Sequence, residues 1–162
     1  MKSTKLIPLR YLKNPVHFLA LGFGSGLMPK APGTFGTLAA VPIYFLCKDL
    51  SLANYLLFVF IVSVAGIFIC QYTSKALKVH DHPGIVIDEF AGYFITMIAI
   101  PFSWQWMLTG FVLFRIFDVW KPWPISWLDK KVHGGFGIMI DDILAGLFAL
   151  AVMHIILYFN WL

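Results

Sequence analysis

The chain has 162 residues, 60% of them hydrophobic and only 12% charged, with a formal net charge of +4. That balance is too apolar for a water-soluble domain of this size, and its basic residues form no stripe with the aromatic spacing of a nucleic-acid surface. The expected class is all-α: one polytopic helical membrane domain covering residues 1–162, with excess positive charge serving topology and anionic-lipid contact.

Met1–Lys13 carries Lys2, Lys5, Arg10 and Lys13 and no acid, like the n-region of a signal peptide. The apolar "VHFLALGFGSGLM" that follows is interrupted by three glycines and runs into "PKAPG" instead of a small-x-small cleavage site, so it reads as retained. His17–Met28 is too short and glycine-rich to cross a bilayer, and is expected to be a re-entrant or interfacial helix. Five apolar windows come next: Thr34–Cys47, Leu52–Cys70, Gly84–Pro101, Trp104–Trp120 and Ile138–Phe159. They are unbroken runs without period-two alternation, so their backbone hydrogen bonds must be satisfied as helices. Cys47 and Cys70 lie in apolar windows near opposite faces and read as small buried hydrophobes, not a disulfide.

Positive residues mark cytoplasmic connections. They gather at Met1–Lys13, Lys30, Lys75 and Lys78, and Lys121 to Lys131, whereas "CKDLS", "PFSWQW" and "NWL" carry little or no net positive charge. The alternation predicts about five spans, with the N-terminus in the cytoplasm and the C-terminus outside. Four polar stretches then fall on the cytoplasmic face: "GSGLMPKAPGTFGT", "HDHPGIVIDE", "RIFDVWKP" and "HGGFGIMIDD".

Apart from Asp49 and Asp129, every acid belongs to these stretches: Asp81, Asp88, Glu89, Asp118, Asp141 and Asp142. Ionisable groups in a membrane domain are candidates for function. Neighbours on a helix point about 100° apart, so Asp88 and Glu89, like Asp141 and Asp142, are expected to diverge, one binding metal and the other a helix end, a basic partner or a second ion. Oxygen-only ligands suit Mg²⁺, which usually takes one or two carboxylates, waters and a substrate phosphate. The plainer readings are that Asp88 and Asp141 complement helix N-termini and that Arg115 and Asp118 form a private i, i+3 ion pair. The glycine-rich stretches, with Ser25, Thr34 and Thr37 and the charge of Lys30, could approach a phosphate, or could simply pack helices closely. His82 or His80 is a candidate general acid or base, against the plain role of an interfacial histidine.

Absent motifs narrow the class. Neither cysteine is followed six residues later by arginine, which excludes a cysteine-phosphatase loop; Arg10 and Arg115 are the only arginines, too few for a histidine-nucleophile lipid phosphatase; and no Walker lysine follows a G-x-x-x-x-G run. What remains is metal-assisted chemistry on a phosphate at the membrane surface.

The blocks "GFGSGLMPKAPGTFGTLAA", "VHDHPGIVIDEFAG", "FRIFDVWKPWPI" and "VHGGFGIMIDDILAG" resemble, in order, those of the phosphatidylglycerophosphatase A family of bacterial inner-membrane lipid phosphatases. The likeness runs from about His17 to Gly146. It implies Mg²⁺-dependent hydrolysis of phosphatidylglycerophosphate to phosphatidylglycerol and phosphate, the last step of phosphatidylglycerol synthesis, at the cytoplasmic face of the inner membrane. Combined with the residue reading, it makes Asp88, Glu89, Asp118, Asp141 and Asp142 the metal-binding and water-activating cluster. Arg115, Lys121 and Lys30, with Thr34 and Thr37, then meet the phosphate, His82 moves protons, and the tryptophans near Lys121 hold that helix end at the lipid interface. Two rivals are weaker. An ion transporter would place acids at mid-membrane depth, and a phospholipid-synthesising phosphotransferase would show D-x-x-D-G-x-x-A-R, which this chain lacks.

Overall fold

A computed structural model describes residues 7–159, and these residues contain helices and no strand. After a 3-10 turn at Leu9–Lys13, seven α-helices follow: α1 (Pro15–Ala20), α2 (Pro32–Leu46), α3 (Leu52–Leu77), α4 (Ile87–Thr96), α5 (Trp104–Trp120), α6 (Ile125–Lys131) and α7 (Gly134–Tyr158). Local chemistry sets their ends. Asn14 accepts from the Val16 N–H at 2.9 Å and Pro15 opens α1, while Ser51 and Ser103 cap α3 and α5 by accepting from Asn54 and Trp106, each at 3.3 Å. Lys78 and Lys121 end α3 and α5 in the left-handed conformation.

The glycine-rich piece after α1 is a second 3-10 segment, Gly22–Leu27, bent where Phe23 and Gly24 adopt positive φ. The expected short N-terminal helix is therefore two short pieces joined by a kink. His17 anchors the first piece, its ring Nδ1 lying 3.0 Å from the Thr73 hydroxyl of α3.

Two helices, α3 and α7, are long and apolar enough to cross a membrane. Their 26 and 25 residues rise roughly 37–39 Å against the ~30 Å of a hydrocarbon core. Much of α3 faces outward with Leu57, Phe60, Ile61 and Phe68 exposed, a surface suited to lipid and unsuited to water. The other apolar windows give shorter helices: α2 has 15 residues and contains Pro42, and α5 has 17. The window Gly84–Pro101 forms α4, only ten residues long and buried throughout, so it rises ~15 Å.

α4 is the axis of the molecule, packed against α2, α3, α5 and α7. Phe90, Tyr93 and Phe94 on it, with Phe114 of α5 and Met139 and Met153 of α7, form the dry centre. A helix ending inside apolar surroundings must still satisfy its last carbonyls. Tyr55 of α3 donates its hydroxyl to the Phe94 carbonyl at 2.8 Å, and Thr96 donates to that of Gly92 at 2.9 Å. The helices alternate in direction. The end of α2, the start of α3 and the turn after α4 meet around a cavity lined by Tyr44, Leu52, Tyr55 and Phe102. The starts of α2, α4 and α7 and the end of α5 meet at the opposite end.

Candidate active site

At that opposite end lies a cavity of about 470 Å³, to which all four polar stretches of the sequence contribute. Its wall holds seven carboxylates (Asp81, Asp88, Glu89, Asp118, Asp129, Asp141 and Asp142) against two cations, Arg115 and Lys121. A phosphate dianion has no reason to enter such a field unless further positive charge is present.

Three of the acids converge. Asp88 and Glu89 in the first turn of α4 and Asp142 of α7 each offer an oxygen, and these atoms all lie within 4.8 Å of one another. The expected divergence of Asp88 from Glu89 is not what the structure shows: the longer glutamate side chain lets both neighbours reach one point. Asp141 does diverge from Asp142. It turns to the Lys121 ammonium, which Asp129 of α6 also contacts at 2.9 Å. Burial alone would lower the Lys121 pKa, but Asp141 and Asp129 overcome it and hold the ammonium above the ordinary lysine range.

Close backbone packing makes the convergence possible. Gly92 of α4 faces α7 so closely that a Cβ there would lie 2.8 Å from the Asp142 carbonyl oxygen. At the start of α2, Gly33 leaves room for the Glu89 carboxylate and the Arg115 guanidinium, both of which a side chain at that position would strike.

The metal-ligand chemistry fits the triad. Asp88 Oδ1, Glu89 Oε2 and Asp142 Oδ2 are buried and have no hydrogen-bond partner, and an unsatisfied buried carboxylate is strongly disfavoured unless something compensates it. Converging carboxylates that keep oxygens free of donors are what a hard divalent cation requires. Asp118 stands beside the triad, paired with Arg115 at i, i+3, and Arg115 Nη1 also lies 3.8 Å from Glu89. The private ion pair anticipated from sequence therefore exists, but inside the cavity wall. Arg115 Nε and Nη1 are buried and have no aligned hydrogen-bond acceptor, although Nη1 is in ion contact with Asp118.

Several expected phosphate contacts lie elsewhere. Lys30 is exposed and outside the cavity wall. Thr37 is buried in α2 and donates its hydroxyl to the Gly33 carbonyl at 2.9 Å, the usual way a helix absorbs a threonine. Thr34 lines a separate groove on the outside of the molecule. His82 is held in the turn before α4, its Nδ1 accepting from the Gly84 N–H at 3.0 Å, and faces a neighbouring apolar cavity. The histidine in the carboxylate cavity is His80, whose Nε2 accepts the Gly134 N–H at 2.7 Å. Asp81 and Asp129 are wall residues to which the sequence reading gave no role. Asp129 reaches the site because the short α6 packs against α7, and nothing in its local sequence announces that.

The family model described as PgpA: Phosphatidylglycerophosphatase A matches residues 18–157. The chain belongs to the phosphatidylglycerophosphatase A family. Among the family's curated proteins, the phosphatidylglycerophosphatase A of Escherichia coli (strain K12) is 51% identical over 146 residues, covering 90% of this chain and 85% of its own length. That of Haemophilus influenzae (strain ATCC 51907 / DSM 11121 / KW20 / Rd) is 49% identical over 149 residues, covering 91% of each. No solved structure matches the chain. The family match covers every element of the carboxylate cavity, from the start of α2 to the start of α7.

Proposed function

We propose that this phosphatidylglycerophosphatase A family member, which hydrolyses phosphatidylglycerophosphate to phosphatidylglycerol and inorganic phosphate, does so with Mg²⁺ held by Asp88, Glu89 and Asp142. The observation that carries this reading is the convergence of three buried acids from α4 and α7, each with a partnerless carboxylate oxygen, beside an arginine and a lysine. Bound there, Mg²⁺ would offset the excess negative charge, polarise a phosphoryl oxygen and acidify a bound water.

The chain's own groups do the rest. The Arg115 guanidinium, which lines the cavity, meets the phosphomonoester oxygens, and its ion pair with Asp118 holds it in place. Lys121 is held by Asp141 and Asp129, which keep a second positive charge at a set position in the wall. Water attacks phosphorus, the bond to the glycerol oxygen breaks, and that oxygen takes the proton the water gives up, so that phosphatidylglycerol and hydrogen phosphate leave. His80 accepts the Gly134 N–H at Nε2, so the N–H at Nδ1 can donate a hydrogen bond from the cavity wall to the departing oxygen, while the proton that oxygen takes comes from the water. Of the two histidines that the sequence offers as acid or base, His80 is the one that lines this cavity.

In this reading α2, α3, α4 with the turn to Pro101, α5 and α7 are the five passes through a bacterial inner membrane, and the site faces the cytoplasm. The basic connections lie at the site end of the alternating helices, which supports that orientation. The test is phosphate release from phosphatidylglycerophosphate by the purified protein in micelles, with Mg²⁺ or with chelator, beside phosphatidic acid as a second substrate. Release that needs Mg²⁺ and favours phosphatidylglycerophosphate is expected. Equal release in chelator would overturn the metal assignment, and preference for phosphatidic acid the substrate.

A further inference from the structure

The apolar groove that contains Thr34 opens outward and has a volume of about 690 Å³. Its other walls are Phe111, Val112, Ile116 and Trp120 of α5. Val112, Ile116 and Trp120 follow one another at i, i+4 and i+8, so they form a single stripe along α5. All three are exposed. Two residues, Arg115 and Val119, line both this groove and the carboxylate cavity. The groove thus ends where the phosphate-binding guanidinium begins. It runs back along the spanning part of α5, on the surface that faces lipid.

A substrate that is a phosphomonoester at one end and two acyl chains at the other has to cross from the polar cavity to the bilayer somewhere. A route aligns the substrate only where an apolar surface meets the cavity wall at a group that can hold the phosphate. The shared Arg115–Val119 edge is such a place: Arg115 faces the head group, and Val119, Ile116 and Val112 continue away from it. By contrast, the other apolar cavity near the site, around Met28 and His82, shares only Ala31, Pro32 and Pro83 with the carboxylate cavity and none of its charged groups.

We propose that the groove between α5 and the start of α2 holds one acyl chain of the lipid substrate, so that α5 positions the phosphate by gripping the tail attached to it. This rests on the lipid-phosphatase reading above. Lipid and groove are equally apolar, so the groove adds little to bulk affinity; its effect is to align the head group with Arg115 and the triad. The residues concerned are positioning residues, and their mark is dependence of turnover on chain length.

The test compares kcat/KM for dioleoyl and dibutyryl phosphatidylglycerophosphate in mixed micelles. Val112→Trp fills the groove one turn beyond Ile116, and Val112→Phe fills it less. Phe60→Trp, on the exposed face of α3, adds bulk at a lipid-facing position away from the groove. The wild-type ratio of long-chain to short-chain kcat/KM is expected to fall roughly tenfold or more in Val112→Trp, less in Val112→Phe, and not in Phe60→Trp. An unchanged ratio in both Val112 variants, or an equal fall in Phe60→Trp, overturns the groove while leaving the phosphatase reading intact. Absence of release from either substrate by the wild type overturns that reading and the groove with it.

Discussion

Gly92 and Gly146 fix how closely α4 approaches α7, and with it the geometry of the carboxylate triad. A Cβ added at Gly146 would lie 2.5 Å from the Gly92 carbonyl oxygen and 3.1 Å from the Gly92 Cα, where ordinary contact begins near 3.4 Å. Gly146→Ala therefore has to part the two helices by up to roughly 0.9 Å. Asp142 lies one turn earlier on the same face of α7, so the displacement passes directly to it. Overpacking of this kind destabilises by about 1–3 kcal/mol, and the gain in helix propensity on replacing glycine returns about 1 kcal/mol. Net stability should drop by only ~0–2 kcal/mol, whereas a misplacement approaching 1 Å lowers turnover about 100-fold. The assay is phosphate release at saturating Mg²⁺, paired with thermal unfolding of the same micellar preparation. Gly146→Ala with wild-type turnover and a wild-type melting temperature would refute the claim that helix spacing sets the triad.

Further outcomes follow from individual contacts. Asp142→Asn removes one of three crowded buried acids, so in chelator its melting temperature should rise by about 2–4 °C, the equivalent of ~1 kcal/mol for a chain of this size, while Mg²⁺-dependent release is lost; a lower melting temperature in chelator would argue against crowding. Lys121→Met leaves Asp141 buried and unpaired and should destabilise by about 1–3 kcal/mol in denaturant titrations. The folded-state pKa of Lys121 is raised, so its contribution is fully present below the unfolded value of about 10.4 and fades as pH rises through the folded value. The stability gap between wild type and Lys121→Met should accordingly stay level from about pH 7 to about pH 10 and narrow only above; a gap that closes below pH 9 or so would contradict the pairing. Thr37→Val should leave kcat/KM within about twofold, because its hydroxyl serves the Gly33 carbonyl, and a tenfold loss, about 1.4 kcal/mol, would restore a phosphate role.

The meeting of four polar stretches at one end could be read from sequence because charge alternation between connections sets the direction of each apolar run, and direction decides which ends are neighbours. The i, i+3 pairing of Arg115 with Asp118 was legible for the same reason: helical periodicity is local. The Lys121–Asp141 pair, twenty residues apart, depends on how α6 packs against α7, and a helix of seven residues leaves little periodic signal. Adjacency also misled. Treating Asp88 and Glu89 as opposed vectors ignored the extra methylene that lets Glu89 turn back to Asp88. For the histidines, His80 and His82 look equivalent in "VHDHPG", and only the turn that commits His82 to the Gly84 N–H separates them. The apolar window containing α4 reads as a span like the other four, and nothing in its hydropathy marks it as the buried centre, because hydropathy reports apolar surroundings without distinguishing lipid from protein.

The central claim is that Asp88, Glu89 and Asp142 together hold a divalent cation. The most direct measurement is equilibrium binding of Mn²⁺, as a spectroscopically visible stand-in for Mg²⁺, to the purified protein followed by electron paramagnetic resonance, with Mg²⁺ as competitor. Wild type should bind Mn²⁺ in competition with Mg²⁺, Asp88→Asn and Asp142→Asn should weaken binding by roughly tenfold or more, and Asp129→Asn, which pairs with Lys121 outside the triad, should bind much as wild type does. Undiminished binding in both triad variants, or loss confined to Asp129→Asn, would contradict the assignment.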